Sequence, residues 1–159
     1  MKGYKRIRKV VNEFTSTFGI RSEWGEEFQA LPTDKIITFT VVVDEDMNEV
    51  FLADAEARFP AVHANLFLWL LMHEIGHCMT DHLWDMDDEN YFTKAKAKLD
   101  EIFDDVMTIN EWYHKIPDEY MATKWAGEYM TYHPKKMKKF NKKMNKAMKN
   151  FCEKNNITP

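Results

Sequence analysis

Residues 61–84 read AVHANLFLWLLMHEIGHCMTDHLW, with no proline, a single glycine and a majority of apolar residues. This density is typical of a helix that lies largely buried in a protein core. The chain has 159 residues, of which 45% are hydrophobic, so it is long enough to bury one core but too short to divide comfortably into two. The sequence therefore predicts one domain built around this central helix.

Within that helix, residues 73–77 form the motif HEIGH, an instance of HExxH. Positions four apart lie one above the other on an α-helix, so the imidazoles of His73 and His77 should reach the same point beside it. Imidazole suits Zn²⁺, and a catalytic zinc site takes three protein ligands and leaves the fourth position to water. HExxH also occurs by chance, but these polar residues on an apolar stripe would be costly without a shared role. We expect both histidines to bind zinc.

Glu74 lies one position round the helix from His73, where its carboxylate can face the metal-bound water rather than the metal. Zinc lowers the pKa of such a water to about 7, and a carboxylate can then take its proton and deliver it to a leaving group. Glu74 is therefore the predicted general base.

The third ligand has two candidates, of which His82 is the nearer in sequence. His82 lies nine residues beyond His73, about 180° round a continuous helix, where it cannot reach the same metal. The metzincin arrangement places its third histidine six residues after the second and past a glycine, whereas here the separation is five and that glycine is absent.

The other candidate is Glu119, in the segment EYMATKWAGEYM (residues 119–130). This segment resembles the helical E-x-x-A-D or E-x-x-A-N motif of gluzincins, including the ImmA/IrrE-like minimal peptidases, and the resemblance covers roughly residues 35–132. Four residues match the family pattern: Glu119, Ala122, Trp125 and Ala126. The resemblance implies a zincin-like metallopeptidase with Glu119 as the third zinc ligand.

Small residues beside Glu119 would let the two helices approach closely enough for its carboxylate to reach the metal. Thr123 departs from the family pattern, because an acidic or amide residue usually stands there and supports a histidine ligand by a hydrogen bond. We expect another acid to supply that support, and the candidates are Asp54, Asp105 and Glu128. For stabilising an oxyanion the resemblance implies a tyrosine or histidine, and the unranked candidates are His133, Tyr132, Tyr120 and His114.

Local patterns predict the remaining elements. Apolar residues at helical spacing predict a helix over about residues 4–18, and the run KIITFTVVV predicts a strand from Lys35 to Val43. A second, weaker strand is predicted from Glu49 to Ala53. The resemblance suggests that EVFLAD (residues 49–54) pairs with an extended peptide substrate. Further helices are predicted over residues 92–109, 117–134 and 135–150.

These elements predict an α+β fold that is mainly helical and zincin-like, with a small sheet packed on the active-site helix and a second helix that carries the glutamate. Residues 1–133 are expected to form the metallopeptidase domain. Residues 134–159 should form a basic amphipathic helix or tail that packs on the same domain.

The net charge of −4 is unevenly distributed along the chain. Five of the first nine residues are basic, and nine lysines follow from Lys135 onward against one acid, so the acidic residues lie mostly between the ends. The basic ends could contact nucleic acid or an acidic partner, although lysine runs are more often solvated surfaces that offset the acidic middle.

Other features bear on the cellular setting. Two cysteines are too few for a disulfide framework, no signal peptide is evident, and no apolar run approaches the roughly 20 residues needed to span a membrane. We expect a cytoplasmic protein. The sequence as a whole predicts a zinc-dependent peptidase acting on a protein or peptide, and the alternative is a metal-stabilised binding or regulatory protein that uses its basic termini.

Overall fold

The structure is a computed structural model that describes residues 3–41, 45–83, 89–102, 111–113 and 115–156. It is mainly helical, with one small sheet. The helices are α1 (Tyr4–Thr15), α2 (Glu45–Arg58), α3 (Leu66–Thr80), α4 (Glu89–Glu101), α5 (Pro117–Tyr132) and α6 (Pro134–Asn155). The strands are β1 (Arg21–Trp24), β2 (Gln29–Leu31) and β3 (Ile36–Phe39). The expected α+β, mainly helical architecture is therefore present.

Helix α3 forms the centre of the core, as its composition predicts. Ten of its 15 residues are buried, and it contacts α2, α5, β2 and β3. The helix starts at Leu66 rather than at residue 61, because the side chain of Asn65 caps it by accepting a hydrogen bond from the Leu68 N–H at 2.9 Å. The cap sets the start of the helix two turns before the HExxH motif.

The sheet has the strand order β1-β3-β2, so β2 forms one of its edges. Strand β1 runs parallel to β3 and β2 runs antiparallel to it, with both Ser22 and Ala30 opposite Ile37. Burial alternates along β3, where Ile37 and Phe39 are completely buried. Because β2 also packs on α3, this edge of the sheet lies beside the HExxH helix.

The two basic ends of the chain pack against each other. Helix α6 runs antiparallel to α1, since Lys143 pairs with Glu13 at 3.1 Å while Gly3 lies against Phe151. The rings of Phe14 and Phe140 lie 4.3 Å apart between the two helices. Helix α6 begins immediately after His133, at the predicted boundary, and its buried residues belong to the same core as those of α3.

The helix predictions over residues 4–18, 117–134 and 135–150 are confirmed apart from their ends. The predicted strand from Lys35 to Val43 is shorter, at Ile36–Phe39, and residues 42 and 43 lie outside the described residues. Of the helix predicted over residues 92–109, the part up to residue 101 is confirmed within α4, and residues 103–109 also lie outside the described part.

The strand predicted from Glu49 to Ala53 is wrong, because this segment lies in the middle of α2. Phe51 and Ala55, four residues apart, face the core: Ala55 is completely buried and the Phe51 ring lies edge-on to that of His73 at 5.3 Å. Leu52 also packs against this core, and its spacing of three from Ala55 fits a helix and not a strand. Strand β2 packs beside α3, where the prediction had placed a strand formed by residues 49–53.

Among the described residues, none of the helices combines the length with the apolar composition required to traverse a lipid bilayer.

Gly76 lies at a point of close approach between α3 and α5. A Cβ atom at this position would lie 2.4 Å from the Ala122 carbonyl oxygen and 2.9 Å from the Ala122 Cα. These are backbone atoms of a neighbouring helix, so they cannot move aside as a side chain can. The close approach expected from the small residues of α5 is therefore present, and it depends on the glycine of the HEIGH motif as well.

We expect Gly76→Ala to lower the free energy of unfolding by about 2 kcal/mol or more, despite the better helix propensity of alanine. The substitution must push α5 away from α3. Chemical denaturation measures the loss. Gly127→Ala is the matched control, since its Cβ would meet the ring of half-buried Phe59 rather than backbone. Equal stability of Gly76→Ala and the native protein would contradict the prediction.

Candidate metal centre

The two histidines of the motif lie on the same side of α3. The Nε2 atoms of His73 and His77 are 3.0 Å apart, as expected for positions four residues apart in a helix. His73 is buried and His77 is nearly so, with side-chain exposures of 3% and 13%. Burial among apolar residues holds both rings in place.

Helix α5 brings Glu119 to the same point. This helix begins at Pro117, and Glu119 lies in its first turn. Its Oε2 atom lies 3.0 Å from His73 Nε2 and 3.1 Å from His77 Nε2. His73, His77 and Glu119 thus form a group whose donor atoms are close enough to hold one metal ion.

Glu119 and the two histidines shift one another's pKa values. Although burial alone would raise the pKa of Glu119, hydrogen bonds and charge from the two histidines hold it well below its usual range. Burial would lower the pKa of His77, but the hydrogen bond and negative charge of Glu119 outweigh burial and raise it. Glu119 is therefore a carboxylate, the form in which it can bind a cation.

Thr123 holds the ring of His73 from the side opposite Glu119. Its Oγ1 atom lies 3.1 Å from His73 Nδ1, and both residues are buried. A proton on Nδ1 that is donated to this hydroxyl leaves Nε2 as the acceptor that faces the other two donor atoms. The support expected from another acid is therefore supplied by Thr123 itself. Asp54 pairs with Arg58 at 2.7 Å, Glu128 is exposed, and Asp105 lies outside the described residues.

We expect Thr123→Val to weaken zinc binding by about 10–100-fold, because valine keeps the shape of threonine but cannot orient His73. Competition for zinc with a chelating dye measures the change. Thr131→Val is the control, since Thr131 is exposed on the same helix and its hydroxyl donates to the backbone carbonyl of Gly127, away from His73. An unchanged zinc affinity in Thr123→Val would show that its hydroxyl has no part in positioning the ligand.

Glu74 lies between the metal centre and the edge of the sheet. Its carboxyl group is buried and accepts a hydrogen bond from the backbone N–H of Ala30 in β2. Burial raises the pKa of Glu74, and the nearby His73 and His77 oppose that rise. A carboxyl group whose pKa is raised toward neutrality can both take and return a proton. The arrangement places a proton-transferring group beside the candidate metal ligands.

Tyr113 is a member of the site that sequence reasoning missed. Its hydroxyl lies 3.0 Å from His73 Nε2 and donates a short hydrogen bond to Glu119 Oε2. Burial, followed by the charge of Glu119, raises the pKa of Tyr113 well above its usual value, so the phenol keeps its proton beside the carboxylate. The only sequence signal is that Tyr113 stands six residues before Glu119, in the turn that leads into α5.

The remaining candidates lie elsewhere. His82 is exposed in a short 3₁₀ turn, Asp81–Leu83, and the group with metal-binding geometry does not include it. Tyr120 and Tyr132 are 45% and 79% exposed, and His133 stacks on Tyr129 at 4.0 Å. His114 lies outside the described residues. None of the three described oxyanion candidates occupies the place beside the ligands that Tyr113 takes.

Cys78 follows His77 on α3 and is completely buried, with its Sγ atom facing the Ile36 carbonyl of β3. Burial raises its pKa to about 11, so the side chain stays protonated and unreactive.

Comparison of the chain with protein-family models, with curated proteins and with solved structures finds no match.

Proposed function

We propose that this chain is a zinc-dependent peptidase of gluzincin type, in which His73, His77 and Glu119 hold the metal and Glu74 is the general base. The observation that carries the proposal is the meeting of three donor atoms 3.0–3.1 Å from one another, with a buried carboxyl group alongside. Two imidazoles and one carboxylate are a donor set typical of catalytic zinc. The zincin-like fold expected from the resemblance belongs to the same proposal.

Zinc in this place would act as a Lewis acid that polarises the scissile carbonyl and lowers the pKa of a water to about 7. The protein groups transfer the proton, orient a ligand and exclude water. Glu74 accepts the proton of the attacking water and returns it to the leaving nitrogen, which its raised pKa favours. Thr123 keeps His73 in the tautomer that a metal requires. Apolar residues around α3 exclude bulk water from the far side.

Strand β2 is the part of the sheet that an extended substrate would follow. It is an edge strand, it packs on α3, and its Ala30 N–H points to Glu74. A peptide lying along this edge would present a carbonyl group next to the general base. We therefore propose that β2, and not residues 49–54 as the resemblance suggested, pairs with the extended substrate.

Metal dependence of hydrolysis tests the proposal. Purified protein should contain about one zinc per chain and cleave members of a library of quenched fluorescent peptides. Treatment with a chelator should remove both the zinc and at least about 99% of the rate, and one equivalent of zinc should restore them. Failure of the zinc-loaded protein to cleave any peptide of the library would contradict the proposal that it is a peptidase.

A second candidate function is binding of nucleic acid, favoured by a groove between α1 and β1. Four cationic side chains line it: Lys5, Arg8, Lys9 and Arg21. Lys9 and Arg21 each lie near an acid of their own segment, at 3.9 and 3.1 Å, which reduces the positive charge left for a polyanion. Affinity for a single-stranded oligonucleotide that falls steeply with salt, in a protein that cuts no peptide, would favour this function over the first.

A further inference from the structure

We propose that the Tyr113 hydroxyl is a fourth protein ligand of the metal, so that the resting site is closed and a substrate has to displace a tyrosine rather than only a water. This inference rests on the proposed metal site, and it adds a residue that the HExxH and glutamate motifs do not contain.

The first argument is the position of the oxygen. In a tetrahedral zinc site with bonds of about 2.0–2.2 Å, the donor atoms lie about 3.3–3.6 Å from one another. The three proposed ligand atoms are slightly closer than that, at 3.0–3.1 Å. The Tyr113 oxygen lies 3.0 Å from one of them, His73 Nε2, and is in direct contact with a second, Glu119 Oε2. It therefore lies within reach of a metal ion that these two atoms would share.

The second argument is that Tyr113 is held in this place by its surroundings. Its ring packs edge-on against Phe51 of α2 at 6.4 Å and lies 6.0 Å from the ring of His73. Its backbone carbonyl accepts a hydrogen bond from the Ile116 N–H at 3.2 Å, in a turn anchored by the buried Ile116 side chain. Because α5 starts one residue later, the same turn fixes Tyr113 relative to Glu119.

The third argument is chemical. A phenol oxygen can bind a divalent metal once it gives up its proton, which here passes to solvent when the metal enters. With Tyr113, the protein supplies two nitrogens and two oxygens, a complete four-coordinate set. A site closed in this way resembles a structural zinc site, and it would become catalytic only when the tyrosine leaves to admit the substrate and the attacking water.

Copper provides a direct probe of this ligand. Tyrosinate bound to Cu²⁺ gives a charge-transfer absorption band in the visible region, which histidine and carboxylate ligands do not give. Titration of chelator-treated full-length protein with Cu²⁺ should produce this band and saturate it at one equivalent. Tyr113→Phe should bind copper without the band, and Tyr120→Phe, which changes an exposed tyrosine next to Glu119, should keep it.

Zinc affinity gives an independent measure. Tyr113→Phe should bind zinc about 10–100-fold more weakly than the native chain, because water replaces a positioned ligand, and Tyr120→Phe should be unchanged. The phenylalanine keeps the ring that packs on Phe51, and thermal unfolding of the metal-free variants verifies that each is folded.

The outcomes separate the two proposals. One copper per chain without the band in the native protein, together with unchanged zinc affinity in Tyr113→Phe, would overturn the tyrosine ligand and leave the metal site standing. No binding of copper or zinc by the folded native chain would overturn both. The band and the loss of affinity together would establish Tyr113 as the fourth ligand.

Discussion

Replacing Glu74 with glutamine should reduce peptide hydrolysis by about 10²–10⁴-fold, the usual contribution of a general base, while about one zinc per chain remains bound. Glutamine has the size of glutamate and can still accept the hydrogen bond from the Ala30 N–H, but it cannot take a proton. Loss of activity with retained zinc would therefore locate the defect in proton transfer.

The measurement compares kcat/KM and zinc content of Glu74→Gln with those of Glu128→Gln, a change at an exposed glutamate of α5. The control should match the native protein in both. Thermal unfolding verifies that Glu74→Gln is folded. Glutamine should not lower the stability of the protein, since an uncharged side chain is less costly to bury than a carboxylate. Hydrolysis by Glu74→Gln at the native rate would refute the assignment of the base.

Removing Glu119 should abolish stoichiometric zinc binding. Glu119→Ala leaves two histidines to hold the ion, and His77→Ala leaves one histidine and the glutamate, so elemental analysis should find far less than one zinc per chain in either variant. Zinc at 100 times its dissociation constant should stabilise the native chain by about 2.7 kcal/mol, and this stabilisation should disappear in both variants.

Two controls accompany these variants. His82→Ala should retain its zinc, because His82 is exposed beyond the end of α3, and Glu128→Ala should retain it because its carboxylate faces solvent. Zinc that is lost in His82→Ala and kept in Glu119→Ala would make His82 the third ligand instead. Absence of zinc from the native protein, even after zinc is added, would mean that the HExxH motif is coincidental.

The interactions that could be predicted from the sequence are those between residues close together in the chain. His73 and His77 are four residues apart in one helix, so helical geometry alone brings their rings together. Pro117 at the start of α5 and Gly19, with φ of 73°, at the end of the 3₁₀ turn that follows α1 mark helix boundaries by local backbone preference. The apolar stretch before the motif likewise predicts a buried central helix, which α3 confirms.

Tertiary structure decided what depends on distant partners. Strands β1 and β2 have four and three residues, so their pairing with β3 and their packing against α1 and α3 define them rather than any local pattern. The segment from Glu49 to Ala53 has residues that suit a strand, yet it is helical, because the helix brings Leu52 and Ala55, three residues apart, to the core on one face.

In the candidate metal centre, too, some residues could be predicted from local sequence and others depend on tertiary packing. The motif of α3 predicted two donor atoms and the general base, and a resemblance in sequence pointed to Glu119. The support of His73 by Thr123 and the presence of Tyr113 arise only where α5 and the turn before it meet α3, across 50 and 40 positions of sequence. Spacing along a helix is dictated by its 3.6-residue turn, whereas contacts between separate elements are set by the packing of the whole core.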